Sequence, residues 1–261
     1  MKVSFVQTDN VKKFLIASSA VEERTATEAK FVLVTGDAGF GKTETCQWWG
    51  VRREAVFVRV KAAATPHWFL TDLVRELGEE PAAKTEQLFA QSYGLLARKQ
   101  CPIVIDEVEN AIGANVKVLD TLRDLVDPLE ITVVLCGREH VKPVLRRKRE
   151  VWTRISGVAE FGPLTAEDVA KVCGELAEVP IGADVVAEIA RQSEGYIREV
   201  IKAIGNVERI GRKQRGKTVT MEEVGQQTLI HEWQRRGGAS MTEQVRAKGA
   251  RGGKAATGAA A

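Results

Sequence analysis

The stretch that most constrains this 261-residue chain is Gly36-Asp37-Ala38-Gly39-Phe40-Gly41-Lys42-Thr43, a G-x-x-x-x-G-K-[ST] string. Just before it, Phe31-Val32-Leu33-Val34-Thr35 is apolar and β-branched, the composition of a buried strand. Lys42 to about Val51 then reads as a helix. A glycine-rich turn between a buried strand and a helix lets the backbone close around a phosphate, with loop N–H groups and the helix N-terminus aimed at it. In that setting the backbone from Gly36 to Glu44 forms the cradle, Lys42 reaches the β- and γ-phosphates, and the Thr43 hydroxyl ligates Mg²⁺. The chain is therefore expected to bind ATP with Mg²⁺.

Such a loop needs a second acid for the metal. Pro102-Ile103-Val104-Ile105 reads as a third strand and ends in Asp106-Glu107, about 60 residues beyond Lys42. Asp106 is expected to orient the metal and Glu107 to activate the attacking water. Glu109 lies two residues further from the strand end and is the weaker base candidate. The fourth strand, Ile131 to Cys136, ends in Gly137-Arg138, where Arg138 is placed to face the γ-phosphate or to be a plain surface arginine.

Strands alternate with helices up to Pro163, with Ala55 to Val60 as the second strand and Gly157 to Phe161 as a short fifth. This predicts an α/β domain over 31–163, a five-stranded parallel sheet flanked by helices. Thr65-Pro66 opens a helix whose apolar face includes Phe69, Leu70, Leu73 and Val74. Trp48, Trp49, Trp68 and Phe69 are expected in the core. Residues 1–30 read as a lead-in with weak helical character. From 164 to 234 the pattern is helical throughout: Thr165 caps one helix, others run Ala183–Ser193 and Tyr196 to about Ile210, and Thr220 with Glu223 makes a capping box. This predicts a small helical lid, in which Gly195-Tyr196-Ile197-Arg198 places Arg198 to fold back over the phosphates. Residues 235–261 collapse to Gly, Ala, Thr, Lys and Arg and are expected to be disordered.

That tail carries six basic residues against one acid, Glu243, although the net charge of the whole chain is only +3. Two more basic groups stand out. One is Arg146-Arg147-Lys148-Arg149, and the other gathers Arg209, Arg212, Lys213, Arg215 and Lys217. Each suits a phosphate backbone bound without regard to sequence. Arg154, just before the fifth strand, is placed to reach a nucleotide on a neighbouring subunit as an arginine finger. The four cysteines show no C-x-x-C spacing and are expected to be buried and reduced. Apolar runs are a strand long, and the N-terminus lacks a secretory core, which points to a cytoplasmic protein with no membrane partner.

The phosphate loop, the Asp106-Glu107 pair, Arg154 and Gly195-x-x-Arg198 together resemble the AAA+ ATPases. More narrowly, Gly36 to Thr45 and Phe161-Gly162-Pro163-Leu164-Thr165 resemble the transposition protein B family of Mu-like phages, over roughly residues 10–230. The resemblance implies an ATP-dependent protein that binds duplex DNA with little sequence preference and self-associates on it into helical filaments. It would then select target DNA and activate a transposase, which triggers slow hydrolysis. It also implies roles for Lys42, Thr43, Asp106, Glu107 and Arg198 as above, with Arg154 replaceable by Arg149 or Arg147 as the finger. One departure is that only about 30 residues precede the first strand here, where the Mu member carries an additional N-terminal DNA-binding region.

Three rivals remain at this point. A signalling or secretion-associated P-loop ATPase would act on a protein partner and show no DNA-stimulated turnover. A small-molecule kinase would need an acceptor-binding lid, against which the Asp106-Glu107 pair and Arg198 argue. A DNA-coating protein that scarcely hydrolyses ATP would be indifferent to Glu107→Gln.

Overall fold

Buried parallel strands need apolar side chains on both faces, and Phe31–Thr35 (β1), Ile103–Asp106 (β3) and Val133–Gly137 (β4) are buried at every position. In the computed structural model, which describes residues 1–23, 30–112, 117–212, 217–225, 227 and 229–230, they join Val56–Arg59 (β2) and Ile155–Glu160 (β5) in one sheet. Its order is β2-β3-β4-β1-β5, with all neighbours parallel. Alternate residues point to opposite faces. Phe31, Leu33, Ile103, Ile105, Val133 and Leu135 enter one core, and Val32, Val34, Val104, Val134 and Cys136 enter the other.

The first core is covered by Pro66–Glu76 (α3), Thr85–Lys99 (α4) and Lys117–Val126 (α6), with Glu109–Ile112 (α5) between β3 and α6. The Thr65 hydroxyl accepts from the Trp68 amide, the cap expected of Thr65-Pro66. The second core lies under Asp9–Glu22 (α1) and Lys42–Arg52 (α2). A short 3-10 turn, Asp127–Leu129, leads into β4, and Val141–Arg146 (α7) and Arg149–Trp152 (α8) connect β4 to β5.

The N-terminal lead-in is more ordered than its composition suggests. Phe14, Ala17 and Val21 of α1 pack on the sheet, and at Gly157 of β5 a Cβ would stand 2.6 Å from the Ala17 carbonyl oxygen. Two polar residues blur the apolar stripe of α1, Asn10 and Ser18, and both are buried. Asn10 exchanges hydrogen bonds with Gly162, at 2.7 Å to its carbonyl and 3.1 Å from its N–H. The cap of α1 comes from far along the chain, the Asp168 carboxylate accepting from the Asp9 N–H at 3.1 Å.

Ala166–Leu176 (α9), Ala183–Ser193 (α10), Ile197–Gly211 (α11) and Met221–Val224 (α12) bury a separate core that includes Val169, Val172, Val185, Ile189, Val200 and Ile204. Val6 from the N-terminal segment enters it as well. The Thr220–Glu223 capping box is formed. All four cysteines are buried and free. Of the expected core aromatics Trp49 and Phe69 are buried, whereas Trp68 is 39% exposed and lies beside Lys61, and half-buried Trp48 stacks on Phe5 at 4.2 Å. Trp68 sits one position off the buried stripe of α3, so its ring turns outward. Among the described residues no helix is long and apolar enough to cross a membrane. Lys213, Arg215 and the tail from 235 lie outside the described residues.

Candidate nucleotide site

The phosphate loop joins the C-terminal end of β1 to the first turn of α2. Gly39 and Gly41 take φ of +94° and +85°, a backbone that side chains rarely tolerate, and Gly36 faces Phe161 so closely that a Cβ would stand 2.5 Å from its carbonyl oxygen. Helix α2 begins at Lys42, and the opening N–H groups of a helix have no partner within it. Lys42 is buried, and its ammonium curls back to the carbonyls of Gly36 (2.8 Å) and Asp37 (2.9 Å). The cation therefore sits inside the loop, where an anion would gain most from it. Glu44 is exposed in the first turn of α2.

Thr43 follows and donates its hydroxyl to Asp106 at 3.2 and 3.3 Å, across 63 residues of sequence. Asp106 ends β3 and is 3% exposed. A hydroxyl and a buried carboxylate this close form the hard oxygen pair that Mg²⁺ takes from protein while keeping most of its waters, so the residues present fit that ion. The next residue, Glu107, is turned out of the strand by a left-handed backbone, φ +56°, costly for a non-glycine residue. Its side chain is half-exposed, and Asn110 donates to it at 3.2 Å while also bonding the Val60 carbonyl. One carboxylate is thus buried beside Thr43 and its neighbour is presented to solvent.

Arg59, which sequence reasoning did not single out, enters the same cluster. It ends β2 in register with Asp106, bonds the Asp106 carboxylate at 3.2 Å through Nε and 3.1 Å through its terminal nitrogen, and lies 3.8 Å from Glu107. An arginine closing the strand beside an acid-ended strand is the signal that could have found it. Glu109 is committed elsewhere: it pairs with the Arg138 guanidinium at 3.2 Å and accepts from the Arg138 N–H at 3.3 Å. Arg138 is largely exposed, and that ion pair is what the structure gives it.

The lid meets the loop directly. Tyr196, which leads into α11, donates its phenol to Asp37 at 3.1 Å and lays its ring on Phe40, centroids 4.8 Å apart. Burial, then Asp37, pushes the Tyr196 phenol above its usual pKa. The Arg198 N–H donates to the Gly39 carbonyl at 3.4 Å, and its exposed side chain stands beside the loop.

Arg154 is not brought to this site. It precedes β5, where its carbonyl accepts from the Phe31 N–H, at the end of the sheet opposite the phosphate loop. Its guanidinium grips Asp127 with both oxygens at 2.8 Å from Nε and also bonds the Glu150 carbonyl. Arg146, Arg147 and Arg149 are exposed on α7, α8 and their junction with Lys148, and Arg146 lies over Trp152. Arg212 lies apart from them, paired with Glu178 at 3.3 Å and Glu208 at 3.8 Å, while Arg209 bonds Asn206 and Lys217 is exposed.

Residues 24–145 match the family model described as an AAA domain. No curated protein matches the chain. Among solved structures it is similar to the Aeropyrum pernix ORC1 protein, with a TM-score of 0.64 at 15% identity over 85% of this chain and 65% of that one. It is also similar to Cdc6p from Pyrobaculum aerophilum, with a TM-score of 0.63 at 16% identity over 85% and 68%. The Thermotoga maritima RuvB branch migration motor follows, with a TM-score of 0.57 at 18% identity over 84% and 68%. The chain thus spans about two thirds of the length of these structures, and at such identities the likeness is one of fold. Residues 24–145 are thus similar to an AAA domain, and the chain has the AAA+ P-loop fold, a parallel five-stranded sheet flanked by helices.

Proposed function

We propose that this chain hydrolyses ATP with Mg²⁺ and uses the ATP-bound state to self-associate on duplex DNA of any sequence, selecting target DNA for a transposase that it activates. The observation that carries the ATPase reading is the Thr43–Asp106 hydrogen bond, which joins the phosphate loop holding the Lys42 ammonium to the end of β3, where Glu107 follows. Lys42 exchanges its two carbonyl contacts for phosphate oxygens. Thr43 and Asp106 would hold Mg²⁺, which would stabilise charge developing on the triphosphate. Glu107 orients and deprotonates the attacking water, and Arg198 brings a positive charge from the lid. Among candidates for the arginine offered to a neighbour's nucleotide, Arg149 and Arg147 are exposed, whereas Arg154 is already bound to Asp127.

Support for DNA as partner comes from the exposed Arg146, Arg147 and Arg149, and from two structural neighbours: the Aeropyrum pernix ORC1 structure is a complex with DNA, and a Drosophila ORC structure is bound to DNA. The transposase, and the cytoplasmic setting that goes with it, rest on the resemblance of Gly36 to Thr45 and of Phe161 to Thr165 to the transposition protein B family.

Electron microscopy and binding on random-sequence duplex DNA, with ATP, with ADP and without nucleotide, test this reading. Assemblies that require ATP and vanish with Lys42→Ala are the expected result. No nucleotide-dependent DNA binding at moderate salt would overturn it, leaving an ATPase whose partner is a protein.

A further inference from the structure

The G-x-x-x-x-G-K-T pattern leaves positions 37 and 40 free, and nothing in phosphate binding calls for an acid or an aromatic ring there. An exposed aspartate next to a phosphate site is electrostatically unhelpful, because it repels the anion the loop must attract. Both residues have partners in the lid. Asp37 accepts from the Tyr196 phenol at 3.1 Å, and Phe40, buried although it lies in a loop, carries the Tyr196 ring. The two residues that follow continue the contact. The Ile197 methyl lies 3.3 Å from where a Gly41 Cβ would stand, and the Arg198 N–H bonds the Gly39 carbonyl. Three successive lid residues therefore rest on the phosphate loop itself.

We propose that Tyr196 is a positioning residue that latches the lid onto the phosphate loop through Asp37 and Phe40, holding Arg198 at the loop before nucleotide arrives. The inference rests on the ATPase reading above. A protein whose binding-competent form is only partly populated shows an affinity reduced by that fraction. The latch raises the closed fraction in the free protein. Saturating nucleotide closes the lid whether or not the latch is present, so turnover at saturation does not depend on it. The raised pKa of the phenol keeps it a donor through the neutral range.

Tyr196→Phe removes the hydroxyl and keeps the ring on Phe40, so the variant is expected to fold. The expected result is a rise of about 3- to 10-fold in Kd and KM for MgATP with kcat unchanged, whereas Arg198→Ala lowers kcat. Fluorescent-ATP titration and steady-state kinetics on wild type, Tyr196→Phe, Asp37→Ala and the double variant form the test. In the Asp37→Ala background the Tyr196→Phe effect should vanish. A Tyr196→Phe variant that binds as tightly as wild type, or more tightly, would overturn the latch. So would an effect of equal size with and without Asp37. Wild type that fails to bind the fluorescent nucleotide would instead sink the ATPase reading, and the latch with it.

Discussion

The Thr43 hydroxyl and the Asp106 carboxylate lie 3.2 Å apart, on elements separated by 63 residues of sequence. Glu107, the next residue, turns its carboxylate toward solvent, where Asn110 donates to it, and in the proposed ATPase it is the base. Glu107→Gln keeps the shape of the side chain and the Asn110 contact but cannot take a proton. ATP binding is expected to survive while turnover falls by about 10²- to 10⁴-fold, checked by single-turnover hydrolysis next to a binding titration. Unchanged turnover would remove Glu107 as the base.

Arg59 and Mg²⁺ would draw on the same carboxylate, since both Arg59 nitrogens meet Oδ2 of Asp106. Arg59→Ala should therefore lower the Mg²⁺ concentration needed for half-maximal ATPase, by a few-fold given that the arginine is half-exposed and screened. A magnesium titration at saturating ATP measures this. A higher requirement would mean that Arg59 supports the metal rather than competes with it.

Much of this arrangement is legible in the sequence because its signals are local. The glycines of the loop, Thr65-Pro66, and Thr220 with Glu223 each state their conformation within a few residues, and each forms as expected. Helix α1 is only faintly legible because Asn10 and Ser18 break its apolar face, and Asn10 is satisfied by Gly162, 152 residues away. Helix α6 carries a regular stripe of Val118, Leu119, Leu122, Leu125 and Val126, yet the expected strand–helix alternation passes over it. Arg59 depends on strand register and Tyr196 on a contact spanning 159 residues, so neither has a local signature.

The two basic groups should behave differently toward DNA. Arg147 and Arg149 are exposed at the junction of α7 and α8, with Lys148 half-buried between them, whereas Arg212 is tied to Glu178 and Glu208. Reversing Arg147, Lys148 and Arg149 to Glu is expected to weaken duplex binding by more than 10-fold, and to flatten the slope of its salt dependence by about one for every phosphate left without a cation. Arg212→Glu should have little effect on either. Equal weakening by both would place the DNA across the lid as well.

Burial raises the Cys173 thiol to about 11. Between pH 9 and 11 the unfolded chain has released this proton and the folded chain has kept it, so stability falls as pH rises, by at most about 1 kcal/mol per unit from this group. Chemical denaturation across that range should show the decline, and Cys173→Ala should make it shallower. In the native protein at pH 8 the thiol should resist alkylation, since the thiolate is scarce.

The helices from α9 onward are fastened to the rest of the chain along two edges. On one edge the N-terminal segment holds them: the Asp168 carboxylate accepts from the Asp9 N–H, Lys171 donates to the Gln7 carbonyl and Val6 enters their core. On the other edge Tyr196 holds Asp37 and the Arg198 N–H holds the Gly39 carbonyl. The second set touches the phosphate loop itself and the first does not, so what fills the loop acts on these helices along one edge while the N-terminal segment keeps its grip on the other.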